Sequence, residues 1–211
     1  MTSSITTDPA RDQILRSIRE HLAASPPPAP VPPVPRPPSS VEDGPNLVDR
    51  FTSQLESVGA QWTLVRGEAE AARAVRRVLS DVGAKRVAGS DAPLVARLLP
   101  ERLVDLSRDE LFSCDAGVTT AQWGIAETGT LVLESARERS RLASLVPPVH
   151  VAILSTRCIC PSLGDALVRV DPASHAITLI TGPSRTSDIE LTLVVGVHGP
   201  QTVHVLLLEE E

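Results

Sequence analysis

Tyrosine is absent from this chain of 211 residues, and aromatic residues of all kinds make up only 2% of it. The stacking platforms that usually hold single-stranded nucleic acid are therefore missing. Lysine is scarce as well: Lys85 is the one lysine among twenty basic residues, and the formal net charge is −6. An acidic chain of this kind does not suit a phosphate backbone. Schiff-base chemistry would be confined to Lys85, and no Gly-x-x-x-x-Gly-Lys loop is present to cradle a nucleotide. No apolar run reaches the length of a membrane span, and the N-terminal residues lack a secretory apolar core. A cytoplasmic protein with neither membrane nor nucleic-acid partners is expected. The three cysteines, Cys114, Cys158 and Cys160, are too few for a disulfide framework or a four-thiolate cluster. Cys158-Ile159-Cys160 is not a common zinc spacing either, so neither metal nor cofactor is expected.

What the chain does have is aliphatic bulk, 42% hydrophobic residues dominated by Val, Leu and Ala. Three regions follow from its distribution. Residues 1–24 carry an amphipathic helix: Asp8 as cap, Pro9 at the first helical position, and a stripe of Ile14, Leu15, Ile18 and Leu22. That stripe is too narrow to fold alone and calls for a docking surface, another copy of the chain among the candidates. Residues 25–45 hold ten prolines and read as an extended tether. Residues 46–211 form the globular domain.

Within that domain helical and strand periods alternate. Asn46 can cap a helix with Leu47, Phe51, Leu55 and Val58 on one face and Gly59 as its stop. A strand over 62–65, a helix over 68–82, a strand over 86–88, a helix over 91–99 and a strand over 103–106 follow. This succession predicts βαβ units and a parallel sheet, whose ligands bind at the carboxyl ends of the strands. From Asp115 to Ser135 the pattern turns to extended segments bent at Gly124 and Gly129, partly antiparallel. Arg137, Arg139 and Arg141 read as a polar loop. A strand over 150–154, a helix over 161–168, a buried strand over 176–180 and a last strand over 203–208 complete the domain. The fold class is α/β: an open, mostly parallel sheet flanked by helices, with an additional β segment.

Three places could carry chemistry. At Thr181–Pro200, Gly182 and Pro183 end a strand, and Ser184 or Ser187 can cap a short helix whose first turn holds Asp188 and Glu190. The freed N–H groups, the Ser184 and Thr186 hydroxyls and the Arg185 guanidinium suit a carboxylate or phosphate. Glu127 lies between Ile125-Ala126 and Thr128-Gly129-Thr130, in a segment expected to be buried. A buried carboxylate is paired, or faces a cavity as base or nucleophile. His198, between Gly196-Val197 and Gly199-Pro200, has open backbone around its ring and is a further catalytic candidate. His150 is a weaker one.

These stretches, Ala126–Val132 (AETGTLV), Leu145–His150 (LVPPVH), Gly182–Glu190 (GPSRTSDIE) and Gly196–Pro200 (GVHGP), resemble the LUD-domain family, the LutC-type lactate-utilisation proteins. The likeness runs over roughly residues 46–208. It implies a fold like that of CoA transferases and ribose-5-phosphate isomerase, and a part in oxidising L-lactate to pyruvate beside iron–sulfur partner subunits. Ala126-Glu127-Thr128-Gly129 also looks like the Ser-Glu-Asn-Gly segment whose glutamate is the nucleophile of some CoA transferases. The resemblance thus leaves three functions open. One is a lactate-oxidation component binding a small organic acid. The second is an acyl-CoA transferase or sugar-phosphate isomerase using Glu127. The third is a sensor of an organic acid or phosphorylated ligand through Ser184, Arg185 and Thr186. Thr128, Gly129, Thr130 and Gly182 would wall the same pocket.

Overall fold

The computed structural model describes residues 9–24, 47–138, 141–187, 193–195 and 199–209. The chain divides into two compact units, Met1–Pro35 and Arg36–Glu211. The first contains α1 (Pro9–Ala24), whose Ile14, Ile18 and Leu22 are exposed. The caps assigned to Asp8 and Asn46 and the proline tract over 25–45 lie outside the described residues.

In the second unit the order is α2 (Leu47–Ser57), β1 (Gln61–Arg66), α3 (Gly67–Asp81), β2 (Val87–Gly89), α4 (Pro93–Leu98), α5 (Arg108–Phe112), β3 (Ala116–Ala121), β4 (Trp123–Ile125) and β5 (Thr130–Glu134). Then come β6 (Val149–Ser155), β7 (Ile159–Cys160), α6 (Leu163–Leu167), β8 (Ile177–Ile180), β9 (Arg185–Ser187), β10 (Leu193–Val195) and β11 (Thr202–Glu209).

Five strands make a central sheet in the order β1-β11-β6-β3-β2, every neighbouring pair parallel. Its middle strands are covered on both faces and accordingly read as near-continuous aliphatic runs, Val151–Leu154 and Val205–Leu208. Alternation along them sorts side chains into two cores. On one face Val118, Val151, Ile153, Leu206 and Leu208 meet Val75, Val78 and Leu79 of α3 and Val95 and Leu98 of α4. On the other, Ala121, Ala152, Leu154, Val205 and Leu207 meet Phe51 and Leu55 of α2 and Leu131, Leu133 and Ile180 of a second sheet. Phe51 and Leu55 are wholly buried, and each such side chain contributes about 1.5–3 kcal/mol of transfer free energy.

The second sheet has the order β7-β4-β5-β8, with β4–β5 and β5–β8 antiparallel. Of the extended stretch expected over 115–135, Ala116–Ala121 joins the central sheet as β3 and only β4 and β5 enter this additional β segment, where Ala166 of α6 packs on Ile125, Val132 and Cys160. Gly129, at the β4–β5 turn, has φ +65° and lies so close to α2 that a Cβ would sit 2.7 Å from the Leu55 nitrogen.

Three expectations are corrected. Residues 103–106 do not form a strand; Leu103 makes a single bridge to Ala88, and the chain then enters α5 through a Ser107–Glu110 capping box. The strand at 176–180 is not buried but an edge: Ile177 and Leu179 are exposed and only Ile180 reaches the core. The Ser184/Ser187 helix start is replaced by an antiparallel ribbon, Arg185–Ser187 against Leu193–Val195. Residues 188–192, where that helix was to continue, lie outside the described residues.

Candidate functional site

The two glycine-bearing segments singled out in the sequence do meet. Thr128 Oγ1 and Thr130 Oγ1 are 2.7 Å apart, and Thr130 Oγ1 is 2.7 Å from Thr181 Oγ1, so a line of hydroxyls joins the β4–β5 turn to the end of β8. Gly182 presses on α2 as Gly129 does, with Val58 O at 2.8 Å from the place of a Cβ. Glu127, however, is exposed at the hairpin turn, its N–H donating to Pro161 O at 3.2 Å. Burial was expected because the flanking residues are apolar; a two-stranded turn instead lifts this one position into solvent.

Arg185 reaches back to α2, where Nη2 donates to Val58 O at 2.5 Å. The guanidinium thus serves a carbonyl at the carboxyl end of α2, where a cation also complements the helix dipole. Gly59 leaves room for it, since a Cβ there would lie 2.4 Å from Nη2. Ser184 N–H donates to Pro200 O at 2.8 Å, just before β11. This whole neighbourhood therefore sits at the amino end of the central sheet. The Thr186 side chain and all of His198 lie outside the described residues.

At the opposite, carboxyl end there is a cleft of about 360 Å³. Thr120 and Ala121 reach it from the end of β3, Gln122 and Trp123 from the link to β4, and Ala92, Pro93 and Leu94 from the segment that follows β2. Glu134, Arg137, Cys158, Arg169 and Asp171 close it. Most of the acceptors here are engaged within the protein, Asp171 Oδ2 having only an ion pair. Glu134 takes Trp123 Nε1–H at 2.8 Å on one oxygen, and Asp171 N–H at 2.7 Å and Ser174 Oγ–H at 3.1 Å on the other. Asp171 Oδ1 accepts from Ala173 N–H at 2.9 Å. The donors are not exhausted. Arg169 lies 5.6 Å from the Trp123 ring centroid and gives Nη1–H to Cys160 Sγ. Arg137 makes one loose ion pair with Asp171, 3.9 Å, and Gln122 Nε2 gives one hydrogen to Thr120 Oγ1 at 3.0 Å. Two guanidiniums face two carboxylates, so the cleft is formally neutral, but its N–H groups outnumber the hydrogen bonds they make, which suits a small anion.

Behind its wall stands Glu138, wholly buried. Its Oε1 accepts from Thr120 N–H at 2.8 Å and from the Thr120 hydroxyl, while Oε2 has no hydrogen-bond partner among the described residues. Burial pushes the Glu138 carboxyl above the ordinary carboxylate range; Thr120 and the nearby Ser90 hydroxyl pull the other way, and Asp91 adds to the rise. A carboxyl raised in the folded state stabilises the fold below its unfolded pKa and loses that contribution as pH rises through the folded value. Glu138→Gln keeps an acceptor for Thr120 and removes the buried charge. The variant is expected to melt higher than the parent at pH 8, with the gap closing below pH 4.5. An equal gap at both pH values, in paired thermal melts, would remove the buried charge as its cause.

Sequence reasoning placed Arg137 in a polar loop and gave Thr120, Gln122, Trp123, Arg169 and Glu138 no role. The alternation Arg137-Glu138-Arg139 looks like a solvated stretch, and nothing in it marks the middle residue as buried. Trp123, one of two tryptophans in the chain, was the available signal.

By fold and cleft this is an α/β protein with an anion-suited crevice at the carboxyl edge of a parallel sheet. The profile of the LUD domain matches residues 48–208, and the chain belongs to that family. It is similar to Lactate utilization protein C of Deinococcus radiodurans, 33% identical over 99% of this chain and 100% of that one. It is also similar to an uncharacterized protein of Neisseria meningitidis serogroup B, 35% identical over 77% of this chain and 67% of that protein. Among solved structures, a DUF162 family protein from Deinococcus radiodurans matches with a TM-score of 0.59 at 24% identity, covering 77% of this chain and 96% of that one. That likeness agrees with the α/β fold expected from the alternating pattern. Among the described residues no helix is long and apolar enough to cross a membrane.

Proposed function

We propose that this chain serves in lactate utilisation as a subunit that binds a small organic acid and acts together with iron–sulfur partner subunits. The relatives named Lactate utilization protein C support the process. The observation that carries the binding role is the donor surplus of Arg137, Arg169 and Gln122 around a cleft at the carboxyl ends of the strands. A carboxylate there gains charge-assisted hydrogen bonds from groups that the protein leaves incompletely satisfied. This cleft is favoured over the Ser184–Arg185–Thr186 turn because two guanidiniums and an amide line it, whereas the turn offers one exposed guanidinium with one N–H given to Val58 O. The acyl-transfer alternative rests on Glu127, which stands in solvent at a hairpin turn.

Calorimetric titration of the full chain with lactate and pyruvate tests the reading. Arg137→Gln, a change at an exposed side chain, is expected to weaken binding at least about tenfold, the scale of one lost hydrogen bond to a charged group. Arg185→Ala is expected to bind like the parent. Loss of affinity in Arg185→Ala with none in Arg137→Gln would move the ligand to the turn. Lactate oxidation is expected only when the iron–sulfur subunits are added; turnover by this chain alone would end the subunit reading.

A further inference from the structure

Lactate has six non-hydrogen atoms, and the cleft is larger than such a ligand needs. Its volume of about 360 Å³ falls within the range of about 300–1,000 Å³ typical of pockets that enclose drug-sized molecules. The distribution of its lining also matters. The donors stand with Arg137, Arg169 and Gln122, whereas Ala92, Pro93 and Leu94 on one side and Ala121 and Trp123 on the other offer no polar side-chain atom that is still free. The indole N–H of Trp123 is held by Glu134, so what this residue can give a ligand is ring surface. A methyl group would leave most of that apolar wall in contact with water.

We propose that the cleft takes a monocarboxylate with an extended apolar or aromatic body, the carboxylate held by the two arginines and the body lying between Pro93–Leu94 and Trp123. This deepens the organic-acid reading above and rests on it. The ligand class is that of 2-hydroxy or 2-oxo acids with side chains of about four to seven carbons, for which lactate is the short end of the series.

Titration of the full chain with lactate, 2-hydroxybutanoate, 2-hydroxyhexanoate and 3-phenyllactate tests this directly. Each methylene that leaves water is expected to tighten binding about fourfold, so 2-hydroxyhexanoate, three methylenes longer than lactate, should bind at least tenfold more tightly. Phenyllactate should match or exceed it. Affinity that is flat or falls from lactate upward overturns the extended-ligand inference and leaves the organic-acid reading in place. Binding of none of the four acids, with pyruvate also silent, overturns both.

Discussion

Lowering the pH from 7 to 4 is expected to remove about 3 kcal/mol of stability through His150 alone. This side chain on β6 is wholly buried, its Nε2 lies 2.9 Å from Thr119 Oγ1, and its Nδ1 has no hydrogen-bond partner among the described residues. Burial lowers its pKa from 6.5 to about 4. The folded state therefore holds a neutral imidazole that the unfolded chain would protonate near 6.5. A base with a depressed folded pKa contributes stability that is complete above the unfolded pKa and is lost as pH falls from 6.5 to about 4. At about 1.4 kcal/mol for each pKa unit, the fall from 6.5 to about 4 is worth about 3.5 kcal/mol in full, of which about 3 is lost by pH 4, where the folded ring is half protonated.

Glu138 works against this loss, because its raised carboxyl becomes more favourable to the fold as it is protonated. The clean measurement is therefore a comparison. Replacing both partners, His150→Leu with Thr119→Val, removes the imidazole without orphaning the hydroxyl. Denaturant unfolding at pH 7, 5.5 and 4 should show a steeper decline for the parent than for the double variant. Parallel curves would mean that His150 finds a proton-accepting partner on acidification and does not titrate as a buried neutral ring.

The second large effect is expected from Gly117→Ala. Gly117 lies on β3 opposite His150 on β6, under the 3₁₀ turn Arg141–Ser144. A Cβ at this position would lie 1.7 Å from the carbonyl oxygen of Ala143 and 2.8 Å from its carbon. Both are backbone atoms, so no rotamer change relieves the contact; the turn itself must rise off the sheet. Ala143 and Ser144, the buried residues of that turn, would lose their packing. The cost is at least about 3 kcal/mol, at the upper end of overpacking effects, which corresponds to a fall in Tm of about 6–12 °C for a domain of this size. A variant melting within a degree of the parent would mean that the turn is not held against the strand in solution.

These two effects also show what could be read in advance. His150 was named in the sequence as a weak candidate, since a lone histidine before a run of aliphatic residues has no distinguishing sign. Nothing in the sequence around Gly117 marks it, because its need arises from a turn some twenty-five positions later. Glu127 illustrates the reverse error. Its apolar neighbours suggested burial, yet the β4–β5 turn leaves the carboxylate exposed. Arg185 gives one N–H to the carbonyl of Val58, a contact with a helix end that the fold brings close. The segments that hold Thr130 and Gly182 do come together, through the hydroxyls of Thr130 and Thr181 at 2.7 Å.

By itself the sequence determined the periods. Aliphatic runs without alternation required strands covered on both faces, the stripes of α2 and α3 required helices lying on that sheet, and the four motif segments carried the family. Local chemistry is enough for such features because each depends on neighbours within a turn or two. Tertiary structure alone decided which donors share a cleft. Arg137, Arg169 and Gln122 come from three separate links between strands, and their proximity follows from the antiparallel β4–β5 pair, which returns the end of β5 to the end of β3. It also decided which polar groups are stranded inside, since burial of Glu138 and His150 depends on chain packed over them from far along the sequence, where no short-range pattern reports it.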